Sequence, residues 1–298
     1  MIHELTIEVA QHPVSLELEG DVPLDSIREV YHQFLCDKRA EFRLRIYPDH
    51  DLTVQDNSSV GLTLSDEKLT VVDDYLMGSV DLGKKQGEAR INPIWFVPSL
   101  ATFVRNLFTI VLVLMDSGLV LHALGVLRHG GVCVFFGPSG SGKSTVAELS
   151  PECIVLSDDI VFIKPVGRSY AVFPTPPWGD MQRGDRENRG YPLTWMFKLV
   201  KDREIRVKPL GLAHGISEVF TVPHIPPDAL PFGDLLRRYQ GLLAQVPCSE
   251  MHFTRDGWFW NAIEAQCSGL GTKEGEHAWK RGKSTKSQRL STARGSKQ

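Results

Sequence analysis

Residues 132–145 read VCVFFGPSGSGKST: an apolar run, then a glycine-rich turn ending in Lys143-Ser144-Thr145. Gly137-x4-Gly142-Lys143-Ser144 fits the phosphate-loop pattern. Glycines let successive backbone N–H groups fold inward onto phosphate oxygens. The candidate nucleotide cradle is Gly137, Pro138, Ser139, Gly140, Ser141, Gly142, Lys143, Ser144 and Thr145. Lys143 is positioned to reach the β- and γ-phosphates, and the Ser144 hydroxyl to bind Mg²⁺. The helix expected over STVAELSP aims its positive end at the same place.

A second group of candidates follows the strand expected at CIVLS, where the chain reads Asp158-Asp159. The segment from Gly137 to Pro151 is long enough for a right-handed crossover, so CIVLS can run parallel to VCVFF. Both strands then end at one edge, and the aspartates meet the phosphates. Neighbouring strand residues face opposite sides, so the pair divides its work. One carboxylate, written here as Asp158, serves Mg²⁺, and the other accepts a hydroxyl proton in phosphoryl transfer. The sequence leaves open which does which, and an Asp-Asp turn merely closing the strand is the plain alternative.

His122 enters through geometry. If His129-Gly130 form a two-residue hairpin turn between LVLHALGVL and GVCVFF, position i pairs with 259 − i. His122 then stands opposite Gly137 and can bond a phosphate oxygen or orient a carboxylate. The catalytic candidates are therefore Asp158, Asp159, His122 and Lys143.

Around this centre, HELTIEVA, PVSLELEG, EFRLRIYP and GLTLSDEKLTVVDDYLMGSVDLG alternate as strands do, with one helix near PLDSIREVYHQFL. No chemistry is visible there. A helix opens at Pro98-Ser99 and stops at Asp116 to Gly118. Its most apolar part is interrupted by Asp116 after nine residues, too soon for a membrane span. Residues 174–192 form a long loop, proline-rich and then polar, with Arg183, Arg186 and Arg189 at three-residue spacing. Such a run is either a solvated charge face or a lid bringing a guanidinium to the transferring phosphoryl group. Trp178 in that loop lines the acceptor site or packs the loop. LTWMFKLV resumes as a strand, FGDLLRRYQGLLAQV as a helix, and EMHFTRDGWFWNAI as a last apolar patch.

The 298 residues carry a net charge of −3. Residues 268–298 hold eight Lys/Arg against two acids, +6, so residues 1–267 carry −9. An acidic body excludes nucleic acid as an expected main partner, and the basic end reads as a disordered tail. Five dispersed cysteines without a CxxC pair, and no signal peptide, point to the cytoplasm. The expected division is a β-rich region at 1–92, a phosphate-loop domain at 93–267 and the tail at 268–298.

LHALGVLRHGGVCVFFGPSGSGKST followed by CIVLSDDIVFI resembles the catalytic domain of the HPr serine kinases and their phosphoenolpyruvate-carboxykinase-like relatives. It is most similar to the smaller HPr-kinase-related proteins, some of which accompany peptide-modification systems. His122, Gly137 to Ser144 and Asp158-Asp159 match that pattern in order and approximate spacing; TPPWGD and VPCSEMHF match later, weaker elements. The resemblance spans about Pro98 to Ala265. It implies an α/β fold with a phosphoenolpyruvate-carboxykinase-like phosphate-loop domain and mixed sheet, preceded by the β-rich region. It also implies ATP and Mg²⁺ as cofactors, a serine-type hydroxyl on a peptide or protein as acceptor, and oligomerisation as seen in such kinases. Pro138 replaces the loop aspartate of the bifunctional HPr kinase/phosphorylases, and their second signature has no clear match. These departures leave HPr as acceptor and the reverse reaction open. The competing reading is a non-catalytic nucleotide sensor or precursor-peptide-binding module.

Overall fold

The computed structural model describes residues 2–53, 61–184, 186–222, 229–255 and 259–269. The stretch expected to be a tail lies outside the described residues, apart from its first two positions.

Alternating side chains build a first sheet from β1 (Ile2–Val9), β2 (His12–Glu19), β3 (Phe42–Pro48), β4 (Gly61–Ser65), β5 (Lys68–Asp73), β6 (Leu76–Asp81) and β7 (Gln86–Ile91), with helix α1 (Leu24–Tyr31) after β2. Its order is β1-β2-β3-β7-β6-β5-β4. β2–β3 and β3–β7 are parallel and the remaining pairs antiparallel. β7 escaped the sequence reading because QGEARI carries no clear apolar alternation.

Helix α2 (Phe96–Met115) begins two residues before the expected Pro98. With the 3-10 turn before it, Pro93–Met115 is 23 residues long, and by length and composition it is able to span a membrane. The expectation that Asp116 made it too short was wrong. In the fold, however, 67% of its most apolar window is buried. Its Phe103 ring lies against Gly78 of β6, where any Cβ would collide at 2.5 Å. The same core cluster also takes in Val120, Phe162 and Phe173 from the second sheet. Burying a phenylalanine is worth about 2–3 kcal/mol, so this one helix ties the two sheets together.

The second sheet contains β8 (Leu119–Arg128), β9 (Gly131–Phe136), β10 (Ile154–Ser157), β11 (Ile160–Val166), β12 (Ser169–Phe173), β13 (Tyr191–Lys201), β14 (Arg206–Pro209) and β15 (Cys248–Phe253). Four helices belong to this half: α3 (Lys143–Glu148), α4 (Leu212–Val219), α5 (Phe232–Leu243) and α6 (Phe259–Gly269). β9, β13 and β15 run parallel, and the other pairs are antiparallel. The pairs β9–β8, β8–β11, β11–β12, β12–β13 and β13–β9 close into a circuit. Leu121, Ala123, Val134, Phe136, Val161 and Met196 pack together with Tyr239 and Leu242 of α5 in one cluster. A second cluster joins Val146 and Ala147 of α3 to Phe135, Phe197 and Phe253. The chain is thus a mixed α/β protein with two mixed sheets and a β-rich N-terminal region.

Candidate functional site

His129 and Gly130 both take positive φ, 51° and 82°. Paired positive φ angles make a tight turn whose twist suits the flanking strands. The register runs from Arg128↔Gly131 to Ala123↔Phe136, the pairing expected from the sequence. His122 therefore stands one step past the ladder, opposite Gly137.

From there the chain leaves β9 through a loop whose glycines are conformationally required. Gly137, Gly140 and Gly142 have φ of 150°, 75° and 109°, and a Cβ on Gly142 would meet the Phe253 ring at 2.5 Å. Ser141 donates its N–H to the Pro138 carbonyl at 3.0 Å. Pro138, Ser139, Gly140 and Ser144 are exposed, and Thr145 is half-buried. Lys143 is buried, and its Nζ donates to the Gly137 carbonyl at 3.0 Å. Burial pushes its pKa down, while the Asp159 charge pulls it up. α3 has only six residues, so an anion at this loop would be held by the loop's own N–H groups rather than by a long helix dipole.

The aspartates follow β10 directly, as expected, and a further strand, β11, begins immediately after them. β10 and β11 both pair antiparallel with β8, and the register slips once, between Val155 and Ser157, before continuing to Ile160↔His122. Asp158 and Asp159 lie past that slip, between the two strands, where the register with β8 is unbroken. β10 does run in the direction of β9, as expected, but β8 lies between them. The pair still arrives beside the glycine loop, because β8 carries His122 on the same stretch; the Ala123 N–H donates to the Asp159 carbonyl at 3.1 Å.

The two carboxylates have different surroundings. Asp159 Oδ1 is 3.5 Å from His122 Nδ1, and Oδ2 accepts from Arg105 Nη1 at 3.1 Å. Asp158 Oδ2 accepts from the Met181 N–H at 2.6 Å. Its other oxygen, Oδ1, is buried without a partner. Gly179 lies so close that any Cβ there would overlap the Asp158 carboxylate. Burial raises the Asp158 pKa, and the charges of Asp159 and Asp180 add to this against the Met181 N–H. For His122, burial and then the Lys143 charge lower the pKa, with Asp159 opposing. A neutral imidazole near neutral pH follows.

Arg105 was missed in the sequence. The available signal was its isolation: it is the one charged residue in the twenty of α2.

Two of the three loop arginines are not a solvated face: Arg183 and Arg186 are held by backbone carbonyls. Arg183 donates to the carbonyls of Ala147 and, at 2.7 Å, Ser150, capping the end of α3. Arg186 donates to the Val155 carbonyl at 3.2 Å and to Gln182 Oε1 at 2.8 Å, with Phe34 beneath it. Orphan carbonyls at a helix end are satisfied by such donors. Only Arg189 is exposed, stacked 4.3 Å from the Tyr191 ring centroid. Trp178 packs edge-on against Phe162 at 5.6 Å, the packing role of the two considered.

The chemistry of these residues fits a nucleotide and Mg²⁺. Gly137 and Gly142 hold the loop at positive φ, and a side chain on either would press on Ser141 or on the Phe253 ring. Among the described residues no group of three or more His, Cys, Asp or Glu forms a metal cage. Mg²⁺ does not need one: one or two carboxylates, a hydroxyl, waters and phosphates are its usual shell, and Ser144 and the aspartates are the residues that would supply the protein's share.

No protein-family model and no curated protein sequence matches the chain. Among solved structures, the Hpr(Ser) kinase/phosphatase from Coxiella burnetii is similar with a TM-score of 0.27 and 8% identity, over 51% of this chain and 97% of that one.

Proposed function

We propose that the chain is an ATP- and Mg²⁺-dependent phosphotransferase of the HPr-kinase-like, phosphoenolpyruvate-carboxykinase-like phosphate-loop class. It moves the γ-phosphoryl group to a serine-type hydroxyl of a peptide or protein. The observation that carries this reading is the convergence of Lys143, His122 and Asp159 at the mouth of the glycine loop. Residues 93–267 form the transferring unit in this reading, and residues 1–92 brace it.

In phosphoryl transfer the protein contributes position and charge more than bond-making. Mg²⁺, when bound, neutralises developing charge on the phosphates. The loop N–H groups and Lys143 would hold the triphosphate, and the Ser144 hydroxyl would be a ligand for the metal. Asp159, held from two sides, faces this charged centre. Asp158 is the better proton acceptor, because burial already disfavours its ionised form. Segment 179–181 must lift for an acceptor hydroxyl to reach it. The burial of Asp158 Oδ1 beneath that segment is also what favours the second reading, a nucleotide sensor without transfer.

The test is mass spectrometry of the purified protein incubated with Mg-ATP and a broad panel of peptides, including those encoded beside its gene. Phosphate on serine, lost with Lys143→Ala, supports the kinase. Nucleotide binding without any transfer moves the sensor ahead.

A further inference from the structure

Arg105 is the only charged side chain on a twenty-residue helix that is otherwise apolar or neutral. A guanidinium sits in such a helix at a cost unless it is paired. Its side chain is 25% exposed and its ion-pair partner is the Asp159 carboxylate, 3.1 Å from Nη1. The Nε is buried with no partner among the described residues.

Asp159 has a second cation in reach of its field. Its charge acts on Lys143, whose Nζ lies across the phosphate loop. Two positive groups from different elements, one on α2 and one at the start of α3, therefore compete for one carboxylate. Arg105 holds Oδ2 while His122, on β8, stands at Oδ1. With Oδ2 held by Arg105 and the His122 ring 3.5 Å from Oδ1, the carboxylate forms no ion pair with Lys143, whose ammonium rests on the Gly137 carbonyl.

We propose that Arg105 is the positioning residue of the phosphate site: it restrains Asp159 so that Lys143 remains free for nucleotide. The proposal rests on the reading of the glycine loop as a nucleotide site. Without Arg105, Asp159 pairs with Lys143 and masks it. The consequence has a definite sign. Removing Arg105 weakens nucleotide binding, and neutralising Asp159 in the same molecule restores it.

The experiment is a double-mutant cycle on the full chain, with binding of a fluorescent ATP analogue in Mg²⁺ as the readout. Arg105→Met keeps the apolar stem in the helix, and Arg105→Lys keeps a charge in case the methionine variant does not fold. Arg105→Met is expected to weaken binding about tenfold, within the usual span of coupling between contacting charges. Arg105→Lys loses less. Adding Asp159→Asn to Arg105→Met should return affinity to within about twofold of the Asp159→Asn single variant. A structural role for Arg105 predicts instead that the double variant binds no better than Arg105→Met, and that result overturns the proposal. So does unchanged affinity in Arg105→Met and Arg105→Lys. Lys143→Met separates the two levels: if it leaves binding intact, the nucleotide site itself is misread; if it abolishes binding while the cycle shows no rescue, only the role of Arg105 fails.

Discussion

Two polar clusters sit along α2, and they are built to opposite specifications. One lies just beyond its C-terminal end. There His12 Nδ1 meets Glu41 at 3.0 Å and Nε2 meets Asp116 at 2.6 Å. Lys164 Nζ reaches Asp116 at 2.7 Å and the Ala10 carbonyl at 2.8 Å, with the Phe173 ring 5.2 Å away. None of these side chains leaves a buried polar atom unpaired. The other cluster, beside the middle of the helix, contains His122, Asp158, Asp159, Arg105 and the glycine loop. It leaves Asp158 Oδ1, Arg105 Nε and Ser141 Oγ buried and unpartnered. Both clusters combine histidine, aspartate and a cation, so residue types do not tell them apart. Saturation does. A satisfied network joins β2, α2 and β11 as a staple, whereas unsatisfied buried groups cost stability and call for a further role.

That contrast breaks most decisively at Lys143. Lys143→Ala should abolish nucleotide-dependent transfer, a loss of at least about 10³-fold, while leaving the urea unfolding midpoint nearly unchanged. A large fall in the midpoint would mean that Lys143 belongs to the fold rather than to the site. Next in size, Asp158→Asn should lower the rate of transfer by about 10²–10⁴-fold with nucleotide affinity retained, the usual range for a lost general base. Equal effects on binding and turnover would remove Asp158 from that role.

The staple should behave the other way round. Lys164→Met strands Asp116 against His12 alone and should cost about 3 kcal/mol in unfolding free energy, with ATP-analogue affinity within twofold. If affinity falls while stability holds, the distinction between staple and site is wrong.

The smallest effect is expected at Cys248, away from both clusters. Burial pushes its thiol from 9.0 up to about 12, and Glu218 adds to this. The folded protein keeps this proton where the unfolded chain has lost it. Stability contributed by the thiol is therefore full below pH 9 and declines as the pH rises from 9 toward 12. The native protein should resist iodoacetamide at this residue at pH 9, and reaction should follow unfolding. Ready alkylation of the folded state would contradict its burial.

The sequence carried much of this centre because the decisive relations there are short-range. A glycine loop after an apolar strand and a two-residue turn with fixed pair sums are both local, and together they located His122 opposite Gly137. The placement of Asp158-Asp159 beside the loop also followed from chain direction. The continuation of β10 into β11 did not, since it depends on β8 accepting both strands along one edge. Arg183 and Arg186 read as a charge run because their partners, the carbonyls of Ala147, Ser150 and Val155, are backbone groups with no signature of their own. Arg105 lies 54 residues from Asp159, and only its solitude in an apolar helix hinted at a partner. The sealing of Asp158 by Gly179 and Met181 had no local sign at all.

The first sheet has a further consequence for any shortened form of the chain. Cutting near residue 92 removes the β6 surface on which Phe103 rests, and leaves a 23-residue apolar helix at the new N-terminus. Such a fragment presents to the cell the same profile as a membrane anchor. Quality-control and targeting factors that read apolar length would meet a segment that the intact protein hides. The β-rich region, silent in chemistry, thus serves as the disguise of the helix that carries Arg105.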